Sequence, residues 1–133
     1  VCIFHTEGNE DTHLILRGGS DGPNYASEYV AAAEAILEKA GLKKAIMIDC
    51  NHANSGKDPY KQPDVLEDII KQKLEGNKSI IGFMIESHLN GGNQNIPKNL
   101  SELKHGISIT DACIDFENTE KMLKSAADAL RKA

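Results

Sequence analysis

Three short apolar runs, each followed by a polar loop and then an amphipathic stretch, constrain this chain more than any other feature of its sequence. The runs are His13-Leu14-Ile15-Leu16-Arg17, Ala45-Ile46-Met47-Ile48-Asp49-Cys50 and Ile80-Ile81-Gly82-Phe83-Met84-Ile85-Glu86. Their apolarity is nearly continuous rather than alternating. That is the pattern of strands buried on both faces, as in a parallel sheet, and the runs are too short for buried helices. Behind each lies a helical pattern. Over residues 26–40 the apolar positions Val30, Ala33, Ile36, Leu37 and Ala40 recur at helical spacing, and Gly41 stands where a left-handed residue stops a helix. Over residues 63–74 the stripe is Val65, Leu66, Ile69, Ile70 and Leu74, with Pro63 suited to a first turn and Gly76-Asn77 to the end. From residue 118 or 119 to 132 it is Met122, Leu123, Ala126, Ala127 and Leu130, with Thr119 a candidate cap.

The chain therefore reads β-α-β-α-β-α, a repeated βα unit. Closing a barrel takes about eight strands and about 250 residues, and this chain has 133. Two architectures remain: a small open α/β sheet, or part of a larger α/β protein. Nothing after Glu86 reads as a fourth parallel strand, and three such apolar strands alone would be poorly covered. The second architecture is the expectation. Residues 1–12 differ: Val1-Cys2-Ile3-Phe4 is β-prone and Glu7-Gly8-Asn9-Glu10-Asp11 is turn-like, which suits one arm of a hairpin.

Composition narrows the class. Hydrophobic residues make up 40% and charged residues 26% of the chain, a balance that excludes wholesale disorder. The net charge of −5 argues against nucleic acid, whose phosphates want a basic face. No apolar run approaches the roughly 20 residues that span a bilayer, and none near the start reads as a targeting segment. Cys2, Cys50 and Cys113 are odd in number and far apart. That is neither a disulfide framework nor a zinc knuckle, and it fits a reducing, cytoplasmic setting.

In α/β sheets ligands bind at the carboxyl ends of the strands. Here those ends carry Arg17-Gly18-Gly19, then Asp49-Cys50-Asn51-His52-Ala53-Asn54-Ser55, then Glu86-Ser87-His88. The last leads into a loop, Asn90-Gly91-Gly92-Asn93-Gln94, that runs on to Asp111 and whose glycines would let it cover a site. An imidazole and carboxylates on one face can hold a divalent cation, and mixed nitrogen and oxygen donors suit Mn, Fe, Co or Zn. Arg17 beside two glycines could clamp a phosphate bidentately. Each residue also has an ordinary reading. His52 could be a hydrogen-bonded structural histidine, Glu86 a solvated strand end, Arg17 a surface ion-pair partner, Gly18-Gly19 a turn and Asp111 a helix cap. Three consecutive strand ends carrying Arg, His and Glu make coincidence less apt. Cys50 reads as a structural thiol, since no base is visible for a nucleophile. His5, His13, His88 and His105 show no ligand spacing.

Four motifs in series resemble one family. They are Leu16-Arg17-Gly18-Gly19 with Pro23-Asn24-Tyr25; Ile48-Asp49-Cys50-Asn51-His52-Ala53-Asn54-Ser55; Met84-Ile85-Glu86-Ser87 with Gly92-Asn93-Gln94; and Ser108-Ile109-Thr110-Asp111-Ala112-Cys113. Their order and spacing resemble the bacterial and fungal type of 3-deoxy-D-arabino-heptulosonate 7-phosphate synthase, from about His5 to the C-terminus. The resemblance implies a TIM (β/α)8 barrel of more than twice this length. Residues 1–133 would form its C-terminal part: 1–12 an arm of an inserted β-hairpin near a feedback site for an aromatic amino acid, 13–133 the last three βα units.

The resemblance also implies roles. His52, Glu86 and Asp111 would be ligands to a divalent metal, with His52 at the catalytic centre, and Arg17 would contact the phosphate of phosphoenolpyruvate. The reaction would join phosphoenolpyruvate and erythrose 4-phosphate and release phosphate, the entry step of the shikimate pathway. The family's ligand cysteine and its lysine- and arginine-rich sugar-phosphate motifs have no counterpart here. Cys50 and Cys113 do not match that cysteine's position. The chain alone is thus expected to be inactive, and to pair with its own copy or with the N-terminal half. Two other readings stay open: the sibling 3-deoxy-octulosonate 8-phosphate synthase type, and a non-catalytic α/β module that binds a ligand.

Overall fold

A computed structural model of the chain describes residues 1–132. The three apolar runs form strands β1 (Leu14–Leu16), β2 (Ile46–Asp49) and β3 (Ile80–Met84). They make one parallel sheet in the order β1-β2-β3, with Leu16 level with Ile48 and Ile48 level with Phe83. Helix α1 (Ser27–Lys39) crosses from β1 to β2, and α2 (Gln62–Leu74) from β2 to β3. Parallel crossovers are right-handed, so sequential strand order places both helices on one face of the sheet. The core lies there. Val30 and Ala33 of α1 and Val65, Leu66, Ile69 and Ile70 of α2 cluster with Leu16, Ile46, Ile48 and Ile80.

Local chemistry sets the helix limits. At the end of α1, Gly41 takes φ +67°, its N–H donates to Glu38 O, and Leu42 N–H donates to Leu37 O. This paired closure satisfies carbonyls the helix leaves free, and glycine adopts the required backbone without a Cβ penalty. Gly76 and Asn77 close α2 the same way, donating to Lys73 O and Gln72 O. Pro63 sits in the first turn of α2, as its missing N–H allows.

Two expectations are corrected. Parallel pairing does continue after Glu86, in a separate two-stranded sheet. Past Glu86 the chain continues as β4 (Ser87–His88), which pairs in parallel with β5 (Ile114–Asp115). Two residues leave no periodic pattern to read, although Ile114 is fully buried. Helix α3 (Phe116–Arg131) follows directly. Its cap is Asp115, which accepts from Asn118 N–H at 2.9 Å. Thr119 lies inside the helix, donating its hydroxyl back to Asp115 O at 2.8 Å. Residues 1–12 form no strand. They are exposed throughout, with a turn at Glu10–Asp11; a hairpin arm needs a partner strand, and none lies among the described residues.

Candidate functional site

The site is built where β2 ends. Asp49 is 2% exposed and its Oδ1 accepts from Asn51 N–H at 2.8 Å, which turns the chain sharply. His52 then takes φ +48°, a left-handed conformation worth about 1–3 kcal/mol of strain for a non-glycine residue. That turn aims the imidazole back at the strand end. Nδ1 lies 2.6 Å from Asp49 Oδ2; a carboxylate only accepts, so Nδ1 carries the proton and donates. The Nε2 lone pair is thereby left facing outward, the orientation a carboxylate partner imposes on a metal-binding histidine.

Opposite Nε2 stand Glu86 Oε1 at 3.3 Å and Asp111 Oδ2 at 3.6 Å. One ligand atom from each of His52, Glu86 and Asp111 lies within 4.8 Å of the others. The structure thus brings these three together from three separate segments. Glu86 is fixed through its backbone by Gln62, which is fully buried. Gln62 Nε2 donates to Glu86 O at 3.0 Å, and Glu86 N–H donates to Gln62 Oε1 at 2.9 Å. Asp111 sits on the long loop, whose Gly92 exchanges backbone hydrogen bonds with Cys113. Asn93 Nδ2 donates to Thr110 O at 2.9 Å, and Gln94 Nε2 to Lys104 O and Ile107 O. The Gly91-to-Gln94 segment therefore pins the loop that bears Asp111; it is not free to cover the site.

The adjoining strand end is tied in closely. Gly18 has φ +74°, and a Cβ there would stand 2.7 Å from Ala53 Cβ and 2.9 Å from Ala53 C. Asn54, 4% exposed, donates to Leu16 O and Asp49 O and accepts from Asn24 N–H; Asn24 in turn accepts from Gly18 N–H at 2.7 Å. Arg17 follows Leu16, the last residue of β1, which lies level with Ile48. Its side chain is exposed and has no hydrogen bond or ion pair among the described residues. Arg17 stands just past the end of β1 and is not joined to the triad.

Neither nearby thiol is poised for chemistry. Burial pushes Cys50 up from 9.0 to about 12, and the Asp49 charge adds to the shift. Cys113 is raised by burial first and by Glu86 and Asp111 further, against a hydrogen bond to Ser108. A thiolate is the nucleophile and the ligand form, so both read as structural. The residues that sequence reasoning left without a role are Asp49, Asn51, Asn54 and Gln62. Asp49 stands three positions before His52, a helical-turn spacing that could have exposed it. Gln62 gave no signal, being 24 positions from the residue it holds.

A histidine with one ring nitrogen tied to a buried carboxylate faces two further carboxylates, Glu86 just past β3 and Asp111 on the long loop, in an α/β protein with parallel strands. The chain belongs to the DAHP synthetase I family, whose profile matches residues 1–124. It is 54% identical over 124 residues to the Tyr-sensitive phospho-2-dehydro-3-deoxyheptonate aldolase of Enterobacter agglomerans, covering 93% of this chain and 58% of that one. To the tyrosine-inhibited aldolase of Schizosaccharomyces pombe it is 51% identical, covering 98% of this chain and 36% of the relative. The solved structure of the aldolase from Francisella tularensis SCHU S4 superposes with a TM-score of 0.88 at 48% identity, over 98% of this chain and 37% of that one. The chain thus spans between about a third and three fifths of the length of these relatives.

Proposed function

We propose that this chain supplies the divalent-metal face of a 3-deoxy-7-phosphoheptulonate synthase, a cytoplasmic enzyme that condenses phosphoenolpyruvate with erythrose 4-phosphate and releases phosphate. The observation that carries the reading is the outward-facing Nε2 of His52 set against Glu86 and Asp111. The donor set fits the group: one imidazole nitrogen and two carboxylates suit Mn, Fe, Co or Zn. Three protein donors with further positions open are the arrangement of a catalytic rather than a structural site. A cation held there supplies Lewis acidity toward a carbonyl oxygen. The chain's own groups do the rest of the positioning. Asp49 fixes the tautomer of His52, Gln62 fixes Glu86, and Arg17 binds the phosphoenolpyruvate phosphate beside the glycine turn, where the backbone comes close.

The sheet supports the larger architecture. Ile15 and Ile81 on the strands are 50% and 55% exposed, although the strands are apolar on both faces. Such strands are at home in a closed TIM barrel, whose interior is filled from all sides; this chain provides one sector. The relatives named Tyr-sensitive or tyrosine-inhibited favour control by an aromatic amino acid.

Titration of the purified chain with Mn2+, Co2+ and Zn2+ tests the reading. One site per chain is expected, abolished by His52→Ala and weakened about 10- to 100-fold by Asp111→Asn. Binding that survives His52→Ala overturns it. Phosphate release from phosphoenolpyruvate with erythrose 4-phosphate should be absent in the chain alone, since a sector of a barrel lacks most of the cations two phosphorylated substrates need.

A further inference from the structure

One buried amide touches all three ligand-bearing segments. Asn51 is 2% exposed and immediately precedes His52. Its Oδ1 accepts from Ser55 Oγ at 2.9 Å. Its Nδ2 donates to Glu86 Oε2 and reaches Ala112 O, beside Asp111, at 3.4 Å. The orientation is settled by chemistry. Glu86 and Ala112 present only acceptors, so a flipped amide would set its oxygen against theirs. The two oxygens of Glu86 are therefore unequal. Oε2 is taken by Asn51, while Oε1 is the one 3.3 Å from His52 Nε2.

We propose that Asn51 is a positioning residue that makes Glu86 a one-oxygen donor, and so sets the site's preference for small transition-metal ions over calcium. The inference rests on the reading that His52, Glu86 and Asp111 hold a divalent cation. Calcium is bound by about six to eight oxygens, with carboxylates often contributing both. A glutamate with one oxygen already committed to an amide cannot contribute both without giving up that bond. Mn2+, Co2+ and Zn2+ lose little by the restriction, because a fixed nitrogen and single carboxylate oxygens are the donors they favour. Ser55 acts one step further out, holding the amide in register.

The test compares Mn2+ and Ca2+ affinity by calorimetry in the parent chain, Asn51→Ala and Ser55→Ala, with the visible spectrum of bound Co2+ as a second readout. Asn51→Ala should weaken Mn2+ by about 10- to 100-fold and Ca2+ far less, narrowing the ratio about tenfold, and it should alter the Co2+ spectrum. Ser55→Ala, which removes one hydroxyl, should move both readouts the same way by a smaller amount. An unchanged ratio and spectrum in Asn51→Ala overturns the proposal. Should circular dichroism show that Asn51→Ala has lost its fold, Ser55→Ala decides by the same criterion. If the parent binds through His52 and only the Asn51 effect is missing, this inference alone fails. If the parent takes up no ion, or still binds after His52→Ala, the metal-site reading fails and carries this inference with it.

Discussion

At Gly18 two demands coincide: a backbone at φ +74° and no room for a side chain against Ala53. Gly41 shares only the first, with φ +67° and nothing near its missing Cβ. Gly41→Ala should therefore cost about 1 kcal/mol for the left-handed backbone, and Gly18→Ala about 2–4 kcal/mol, because overlap adds about 1–3. Denaturant melts of the two variants check the difference; equal costs would show that the strand ends can separate freely. The buried thiol makes a second prediction. Cys50 keeps its proton in the folded chain up to about 12, against an ordinary 9.0. Its contribution to stability is whole below pH 9 and falls as pH rises toward 12, by at most about 1.4 kcal/mol per pH unit. Cys50→Ala should flatten that alkaline slope relative to the parent, and Cys2, which is exposed, should be alkylated in the native chain long before Cys50. His52 and Glu86 stood out as polar residues at strand ends, but Asp111 joined them only through the family motifs, because a loop residue has no strand or helix period to place it; the fold brings the three side chains together. The groups that orient them were not legible. Asn51 and Gln62 look like ordinary polar residues until folding brings Glu86 to them, and amide side chains have no spacing rule that announces such a contact.

The elements show where periodicity informs and where it fails. α1 and α2 were legible nearly to the residue, since each combines an apolar stripe of several turns with a glycine stop. The strand pair β4–β5 was invisible because two residues carry no period. The start of α3 was misplaced for a related reason. Asp115 and Thr119 are both capping types four positions apart, and only the backbone geometry shows that Asp115 caps while Thr119 bonds inward. The Asp115 carboxyl is held below its ordinary range by the Asn118 backbone N–H, then by the Asn118 side chain. A depressed carboxylate stabilises the fold above its unfolded pKa and loses that contribution as pH falls through the lower, folded value. The first turn of α3 should therefore loosen at acid pH. Faster amide exchange at Asn118 on acidification, beyond the change in intrinsic rate and absent in Asp115→Ala, is the expected signature; identical exchange in both would remove the cap's role.

For the molecule as a whole, the question is what lies against the faces its helices leave bare. The helices cover one side of the sheet, where Leu16, Ile46, Ile48 and Ile80 are buried. On the strands, Ile15 and Ile81 stay half exposed. Leu123 and Leu130 of α3, expected to join an apolar stripe, are likewise 45% and 46% exposed. β1 has β2 on one side and no described strand on the other, so a row of backbone donors and acceptors is open to pairing. Apolar faces next to an unpaired strand edge drive association. Covering them is worth on the order of several kcal/mol per face at about 25 cal/mol per Å². The continuous apolarity that first identified these strands is thus also the reason the chain should not stay a free monomer. It should pair with a second copy, or with the remainder of a barrel where that is supplied. Sedimentation velocity at tens of micromolar should show a dimer or larger species, and Ile15→Lys with Ile81→Lys should shift it toward monomer while leaving the helical signal in place. A compact, stable monomer in the parent chain would mean that these faces tolerate water, and that the sheet is an autonomous small α/β unit rather than a barrel sector.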